Sequence, residues 1–367
     1  MGVIRLLLAL SVIGAHCNSH PILKFVGGEV AVQAFFVISG FYMAMIIGTY
    51  KNKKYFWISR YLRLYPTFIV CALMALILVQ GVKNYTENIG KLPFSAIVFL
   101  SFTNTTIFFQ DITMFLGISN DSMSFVKNFA KSSPPLYSFL LVPQAWSLGL
   151  ELSFYSLAPF LLSKSLRTLV SILFISESIR ICLISLGYSA DPWSYRFLPS
   201  ELSTFLLGSL SYKLYEHNNF LIKKSFLKKI GLKFIFLFII SFNYIPLEYQ
   251  TKRILFILSL AFFIGNIFSI TKDSKIDNFI GILSYPIYIS HMLVLSYFIP
   301  KLSMPAPDGR FSTTIIAYMA VITFSIVLYF FIEKPVDSFR HRFKSPKSTM
   351  QKLSSGMGSS TKSTETS

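Results

Sequence analysis

The sequence predicts an all-α, polytopic integral membrane protein, and three observations carry this prediction. Hydrophobic residues make up 53% of the 367 residues and charged residues only 14%, whereas about a quarter of the residues in soluble proteins are charged. Long apolar runs recur along nearly the whole chain. Lys and Arg number 34 against 16 Asp and Glu, and because this excess flanks apolar runs it indicates membrane loops and not a nucleic-acid-binding surface.

Apolar windows long enough to cross about 30 Å of hydrocarbon predict about ten transmembrane helices. The windows are 4–20, 30–48, 64–82, 146–163, 168–187, 200–214, 234–247, 253–270, 279–299 and 314–332. The first window resembles a signal peptide, but no small-residue cleavage site follows it, so we interpret it as a retained span.

The distribution of basic residues orients these helices. Basic clusters lie at 51–63, at 213–233 and from 334 onward, and the positive-inside rule places all three in the cytoplasm. An even number of crossings must then separate the first two clusters. We therefore expect 83–145 to lie outside, with the interrupted apolar stretch 93–116 re-entrant or packed on the membrane face, and both termini to be cytoplasmic.

The chain divides into two parts by composition. Residues 1–335 form the predicted membrane domain, whereas 336–367 are basic and rich in Ser and Thr. Such a segment has too few apolar residues to bury a core, so the sequence predicts a disordered cytoplasmic tail there.

Two ionisable residues share one face of the first span. Arg5 and His16 are eleven residues apart, which on a helix brings them within roughly 20° of each other and separates them by about 16 Å. Arg5 lies at the cytoplasmic interface, and His16 lies near or beyond mid-depth. The alternatives are an arginine that reaches the interface and a histidine that only bonds to a neighbouring helix.

A second pair of arginines lies at a cytoplasmic helix start. Arg60 and Arg63 are spaced i, i+3 and face the same way. Guanidinium groups bind phosphate oxygens through two hydrogen bonds, although such pairs also serve as simple positive-inside anchors.

Five motifs occur along residues 1–335 in a specific order. They are Arg5 with His16, FFVISGF at 35–41, R-x-x-R-x-x-P at 60–66, WSLGLE at 146–151 and SYPIYISH at 284–291. In order and spacing the chain resembles the membrane acyltransferase-3 family. One departure is Gln33, which stands where many members have Asp.

The resemblance implies a ten-span membrane O-acyltransferase. Such an enzyme takes an acyl group, usually acetyl, from cytoplasmic acyl-CoA and places it on a hydroxyl of an extracytoplasmic glycan. In the family the Arg and His of the first span are functional, which implies roles for Arg5 and His16, and the arginine pair corresponds to Arg60 and Arg63. Acetyl-CoA is then a substrate, and no metal is expected.

In the expected mechanism, the arginines bind one end of the donor and His16 acts at the other. We expect Arg5, Arg60 and Arg63 to hold the phosphates of acyl-CoA, while His16 deprotonates the acceptor hydroxyl as general base. A scheme in which His16 first accepts the acyl group covalently is equally open. Glu151 is expected to orient His16 or to bind the acceptor sugar, or else is an interfacial carboxylate at a helix start.

Further polar residues are candidates for the cavity or the acceptor site. They are Trp146, Tyr288 and His291, although His291 also fits a residue that holds helices together. Glu177 and Arg180, spaced i, i+3 in mid-span, predict an internal ion pair. His20 has no further ligands at metal-binding spacing.

The expected partners follow from this reading. They are acyl-CoA, the lipid bilayer, and a surface polysaccharide or its lipid-linked precursor, most of all lipopolysaccharide O-antigen, with no nucleic acid. The expected location is the bacterial inner membrane. The alternative is a polytopic transporter or glycan flippase without acyl transfer, since intramembrane Arg, His and Glu also line substrate pathways.

Overall fold

The protein is almost entirely helical. The structure, a computed structural model, describes residues 1–119, 121–188, 191–217 and 225–343. Its helices are α1 (Gly2–Ala15), α2 (Gly27–Ile46), α3 (Lys53–Met74), α4 (Val82–Ile89), α5 (Phe94–Thr106), α6 (Trp146–Leu161), α7 (Leu166–Ser185), α8 (Leu198–His217), α9 (Ser225–Ser241), α10 (Tyr249–Thr271), α11 (Lys275–Leu293), α12 (Phe311–Leu328) and α13 (Lys334–Arg340). The strands β1 (Leu116–Ser119) and β2 (Ser122–Phe125) pair antiparallel, with Leu116 opposite Phe125.

Three of the helices continue as π-helical turns, at Ala75–Gln80 after α3, Val294–Phe298 after α11 and Tyr329–Glu333 after α12. The remaining single turns are Pro21–Lys24, Ile47–Thr49, Ile112–Phe115, Phe129–Lys131, Leu136–Phe139, Pro143–Ala145, Phe242–Tyr244, Ile299–Lys301 and His341–Phe343.

The predicted class, an all-α polytopic membrane protein, is confirmed. Helices suit apolar segments of this kind because each backbone polar group is satisfied within its own helix. Among the described residues, six helical stretches are long and apolar enough to cross a membrane, namely Pro21–Thr49, Lys53–Gln80, Leu166–Ser185, Tyr249–Thr271, Lys275–Lys301 and Phe311–Arg340, and Gly2–Ala15 and Ile230–Tyr244 are shorter apolar helices. Each of the ten predicted windows contains a helix, although α1 ends at Ala15, five residues before the end of the first window, and the number of crossings stays a prediction.

Among its described residues, the segment expected outside contains no helix of spanning length. Helix α5 has 13 residues, which corresponds to about 20 Å, less than the hydrocarbon thickness of about 30 Å. The polar Asn104 in α5 is satisfied within the same segment: its Nδ2 donates to the Tyr85 hydroxyl (3.0 Å) and to the Phe139 carbonyl (2.9 Å), and its Oδ1 accepts from the Leu141 amide (2.9 Å). The segment is therefore a small folded layer of its own.

Side-chain caps begin several of the helices. Asn52 Oδ1 accepts the Tyr55 amide at the start of α3 (3.0 Å), Ser165 Oγ accepts the Thr168 amide at the start of α7 (3.2 Å), and Ser274 Oγ accepts an amide at the start of α11. Each cap satisfies one of the N–H groups that a helix leaves unpaired at its first turn. Helix starts after short turns are thus encoded locally.

Helices α2 and α11 lie at the centre of the bundle and α7 lies at its edge. In the most apolar window of each stretch, 67% of the residues around α2 and around α11 are buried, against 11% in α7. Helix α1 packs against both central helices. The residues that line the interior of the protein are therefore mostly those of α1, α2 and α11.

Glycines let α2 and α8 approach backbone to backbone. A Cβ at Gly40 would lie 1.9 Å from the Phe205 carbonyl oxygen, and a Cβ at Gly208 would lie 1.9 Å from that of Val37. Small residues at such crossings are typical of helix pairs in membranes. This crossing fixes the position of α2, and α2 residues between Val32 and Ile46 line the site described below.

The beginning of the predicted tail is helical. Residues 336–343 complete α13 and a further single turn, and Arg340 is buried, with its Nε donating to the Ser59 carbonyl on α3 (2.8 Å). The ordered part thus extends past the expected boundary at 335. The rest of the expected tail, 344–367, lies outside the described residues.

Candidate functional site

One cavity lies in the half of the helix bundle that the predicted topology places toward the cytoplasm. It has a volume of about 760 Å³ and is bounded by α1, α2, α3, α6, α10 and α11. Asn278, Ile282, Tyr285 and Tyr288 line it from one face of α11, and the ten residues from the first to the last correspond to about 15 Å of helix. The exposed Lys272 at the α10–α11 turn marks its mouth, which the predicted topology places in the cytoplasm.

Arg5 lies on the wall of this cavity near its mouth. A Cβ added to Gly281 of α11 would lie 3.5 Å from Nη1 of Arg5, an ordinary contact distance, so the guanidinium lies directly against α11 at this level. In the part of the chain that the structure describes, Nε of Arg5 is buried without a hydrogen-bond partner. Glu151 and Glu333 act on Arg5 electrostatically, but neither forms an ion pair with it. A buried donor without a partner is costly, which suits a site for an anion.

Arg60 and Arg63 line the same cavity with different partners. Nη2 of Arg60 donates to the Tyr50 hydroxyl (2.6 Å), and its buried Nε has no partner among the described residues. Nη1 of Arg63 donates to Oε2 of Glu333 at 3.0 Å, and its guanidinium lies 5.7 Å from the ring centre of Tyr285. Arg63 is therefore paired with a protein carboxylate through Nη1, whereas Arg5 and Arg60 each keep a buried Nε without a partner among the described residues.

Glu151 lies deeper in the cavity. Its Oε1 accepts a hydrogen bond from Ser39 Oγ of α2 (2.6 Å) and another from the Tyr155 hydroxyl one turn away. Ser39 Oγ and the Tyr155 hydroxyl are 3.0 Å apart, so the three groups form a closed triangle. This arrangement fixes the carboxylate on the cavity wall.

A pair of hydroxyl groups closes the deep end of the cavity, opposite the mouth at Lys272. Ser147 Oγ and the Tyr288 hydroxyl are 2.6 Å apart, and the Tyr288 hydroxyl donates to the Gln144 carbonyl (2.8 Å). The Tyr288 ring contacts Phe35 on one side and His291 on the other, with ring centres 6.3 and 6.0 Å away. Tyr288 thus separates the cavity from the histidines beyond it.

His16 and His291 lie side by side past Tyr288. Their ring centres are 5.1 Å apart. His291 is fully buried, and its Nδ1 lies 2.6 Å from the Tyr288 carbonyl, so Nδ1 donates in this contact because a carbonyl oxygen can only accept. Nε2 of His291 has no partner within the described residues. His16, the residue after α1, is exposed at the end of α1 that points away from the cavity mouth.

Trp146 lies apart from the cavity, beneath Arg196. The Arg196 guanidinium is 4.1 Å from the Trp146 ring centre and is held by Asp191 through bonds of 2.6 and 2.7 Å. Tyr195 packs edge-on against Trp146, with ring centres 5.0 Å apart. Trp146 therefore supports the outer layer of the site and exposes little surface to a ligand.

The structure groups most of the predicted residues. Arg5, Arg60, Arg63, Glu151 and Tyr288 line one cavity, and His16 and His291 form a pair directly beyond it. Glu151 hydrogen-bonds to Ser39 and Tyr155 and not to His16, so the expected contact between Glu151 and His16 is not formed. No cluster of three or more metal-binding side chains occurs in the described ranges.

Sequence reasoning missed Ser39, Ser147, Tyr155 and Glu333. Ser147, Glu151 and Tyr155 are spaced by four residues, a polar stripe along a mostly apolar helix that the pattern alone could have revealed. Ser39 lies inside the FFVISGF run. Glu333 gave no local signal because its partner, Arg63, is 270 residues away.

The predicted pair of Glu177 and Arg180 forms part of a larger cluster outside the cavity. Nε of Arg180 lies 3.7 Å from Glu177, and Nη2 lies 3.4 Å from the fully buried Glu201. Gln33 donates to the same Glu201 carboxylate (2.7 Å). The amide at position 33 thus has a structural partner on α8 and does not reach the cavity.

Comparisons with known proteins agree with these motifs. The model of the acyltransferase 3 family, described as an acyltransferase domain, matches residues 1–332. Over 170 residues the chain is 28% identical to an uncharacterized protein of Aquifex aeolicus (strain VF5), an alignment that covers 44% of this chain and 72% of that protein. No solved structure matches.

Proposed function

The chain belongs to the acyltransferase 3 family, and we propose that it transfers an acetyl group from cytoplasmic acetyl-CoA to a hydroxyl of a bacterial surface glycan. One observation carries the proposal. A cavity lined by three arginines leads from the predicted cytoplasmic face to within one helical turn of the His16–His291 pair. Cations at one end and imidazoles at the other match a donor that has phosphates at one end and a thioester at the other.

The donor site lies at the mouth of the cavity. Arg5 and Arg60 carry buried Nε groups without partners in the described chain, and Lys272 lies beside them on the rim. Guanidinium groups bind phosphate through paired, charge-assisted hydrogen bonds. We assign the phosphates of acyl-CoA to Arg5, Arg60 and Arg63, so that the acyl end points toward Tyr288 and His16.

The reaction takes place beyond Tyr288. His16 removes the proton from the acceptor hydroxyl, the resulting oxygen nucleophile attacks the thioester carbonyl, and the coenzyme leaves as a thiolate. In the alternative order, His16 attacks the thioester and passes the acyl group to the hydroxyl afterwards. Both schemes need the thioester to pass Tyr288, and both let the acceptor approach His16 from the exposed outer side.

The acceptor we propose is lipopolysaccharide O-antigen or its lipid-linked precursor, which places the enzyme in the bacterial inner membrane. The exposed position of His16 at the outer end of α1 supports a large extracytoplasmic acceptor.

The proposal is tested on the surface polysaccharide of cells that lack the gene, carry it, or carry His16→Ala. Proton NMR should detect O-acetyl groups only with the intact protein. His20→Ala is the matched control, because His20 lies four residues on but packs on Phe311 (ring centres 5.7 Å apart) and caps the Pro21–Lys24 turn, and it should retain acetylation.

Purified protein gives the second readout. Arg60→Ala should raise the KM for acetyl-CoA with a smaller effect on kcat, because Arg60 donates to the Tyr50 hydroxyl and its removal leaves no buried carboxylate unpaired, whereas His16→Ala should remove turnover. Equal activity of His16→Ala and the intact protein would overturn the role of His16. Absence of any acetyl-CoA turnover by the intact protein with glycan acceptors would instead favour the transporter alternative.

A further inference from the structure

Among the described residues, Glu151 is the one carboxylate deep in the donor cavity, and its surroundings point to a specific ligand group. Both of its hydrogen bonds, from Ser39 and from Tyr155, end on Oε1. Oε2 receives no hydrogen bond from the described residues, although Glu151 lines the cavity. The carboxylate therefore offers a fixed, charged acceptor to whatever occupies this position.

The position of Glu151 along the cavity limits what that occupant can be. Ser147, one turn away on α6, closes the deep end with Tyr288, whereas Arg5 lies at the level of Gly281. The seven residues from Gly281 to Tyr288 correspond to about 10 Å of helix. If the phosphates of the donor lie at Arg5 and Arg60, Glu151 faces the arm between the phosphates and the thioester.

The chemistry of that arm selects the group that Glu151 can bind. A carboxylate repels phosphate, so the anionic end is excluded from this position. The arm of coenzyme A is uncharged and contains two secondary amides, each with an N–H donor. Moving an amide N–H out of water costs free energy unless it finds a new hydrogen-bond acceptor. A carboxylate oxygen without a hydrogen bond can serve as that acceptor.

We propose that Oε2 of Glu151 accepts a hydrogen bond from an amide N–H of the donor arm, with Ser39 and Tyr155 holding the carboxylate in place. This inference rests on the proposed function. It assigns Glu151 to donor binding on the side of Tyr288 that faces the cavity mouth, away from His16. It also predicts that the protein recognises the donor by the N–H groups of the arm as well as by the phosphates.

The experiment compares coenzyme A with two analogues, each of which has an ester oxygen in place of one amide N–H. The full-length protein in detergent is titrated with each ligand, and binding is measured in place of transfer, so that the result also holds for variants without turnover. The intact protein should bind one analogue roughly tenfold or more weakly than coenzyme A, as loss of a hydrogen bond to a charged group requires.

Glu151→Gln should reduce that preference to a few fold. Ser39→Ala should reduce it partially, because one of the two bonds that orient Glu151 is lost. Glu29→Gln is the matched control: this carboxylate pairs with Arg253 at 2.8 Å outside the cavity, and the preference should stay unchanged.

Two results would overturn the inference. One is equal binding of coenzyme A and both ester analogues by the intact protein, which needs no variant to fold. The other is a full preference retained in Glu151→Gln. If the intact protein binds neither coenzyme A nor acetyl-CoA, the proposed function fails as well, and this outcome is distinct from binding without a preference.

Discussion

Glu333 is the buried counter-charge of Arg63. Its side chain is 3% exposed, and it accepts from Arg63 at 3.0 Å and from Thr67 at 3.3 Å. Removal of one partner of a buried ion pair leaves the other charge uncompensated. Glu333 therefore both stabilises the helix bundle and fixes the direction of the Arg63 guanidinium on the cavity wall.

We expect Glu333→Gln to lower the free energy of unfolding by about 3 kcal/mol. The matched control is Glu87→Gln, since Glu87 pairs with Lys83 at 3.9 Å and both side chains are more than half exposed; its effect should stay under about 1 kcal/mol. Both variants are compared by unfolding of the detergent-solubilised protein. Similar losses in the two variants would contradict the prediction.

The crossing of α2 and α8 is the element-level feature on which the cavity depends. Gly40 and Gly208 lie where the two backbones meet, and Ser209 Oγ donates to the Gly40 carbonyl across the interface (3.0 Å). Helix α2 carries Ser39 one residue from this crossing. A change that separates the helices therefore also displaces the hydroxyl that holds Glu151.

We expect Gly208→Ala to destabilise the protein by roughly 1–3 kcal/mol, because the new methyl group meets the Val37 carbonyl and the helices must move apart. Gly48→Ala is the control, since nothing lies within 4 Å of a Cβ at that position. The thermal unfolding temperatures of both variants are measured against the intact protein. An unchanged temperature for Gly208→Ala would show that the interface can absorb the methyl group.

The folded segment between α5 and α6 contains a buried acid. Burial raises the pKa of Asp111 from its ordinary value of 3.8 to about 7, and the backbone N–H groups of residues 111 and 112 oppose this less strongly. Asp111 is 3% exposed and packs where Gly149 of α6 has no side chain. The folded protein thus holds the proton of Asp111 more tightly than the unfolded chain does.

A raised pKa in the folded state means that stability falls as pH rises from about 4 to about 7 and stays reduced above that range. The Asp111→Asn side chain has nearly the same shape as Asp111 but carries no group that ionises. We expect the variant to gain stability over the intact protein as pH rises from 5 to 8, by on the order of a few kcal/mol. Thermal unfolding at several pH values measures the difference, and a constant difference across the range would exclude this origin.

At the scale of the whole molecule, the predicted topology assigns the cavity mouth and His16 to opposite sides of the membrane. Exposed positions exist on both sides, at Ser122 in β2 and at Lys275 at the start of α11. The predicted topology places the first outside and the second inside.

We expect a membrane-impermeant maleimide to label Ser122→Cys in intact spheroplasts and Lys275→Cys only after lysis. Cys17 and Cys182, which are not buried, are replaced by Ser in the parent protein to remove background labelling. Labelling of Lys275→Cys before lysis would reverse the orientation and place the arginine-lined mouth outside, where acyl-CoA is not supplied.

Much of this protein follows from the sequence alone. Apolar runs of about twenty residues predict helices because no other single-segment structure satisfies its backbone in lipid, and each predicted window contains a helix. The order and spacing of the five motifs indicated the family, which the match over 1–332 confirms. Helical periodicity also placed Arg5 and His16 on one face, since it depends only on positions along a single helix.

Only the tertiary structure decided which polar groups meet. Ser39 and Glu151 are 112 residues apart, Arg63 and Glu333 are 270 apart, and His16 meets His291 from a different helix. Periodicity gives the face of a helix but not its neighbour, because the neighbour depends on how all the helices pack. For this reason the sequence left open whether Glu151 orients His16, binds the acceptor or only begins a helix, whereas packing set Glu151 against Ser39 and Tyr155 on the cavity wall.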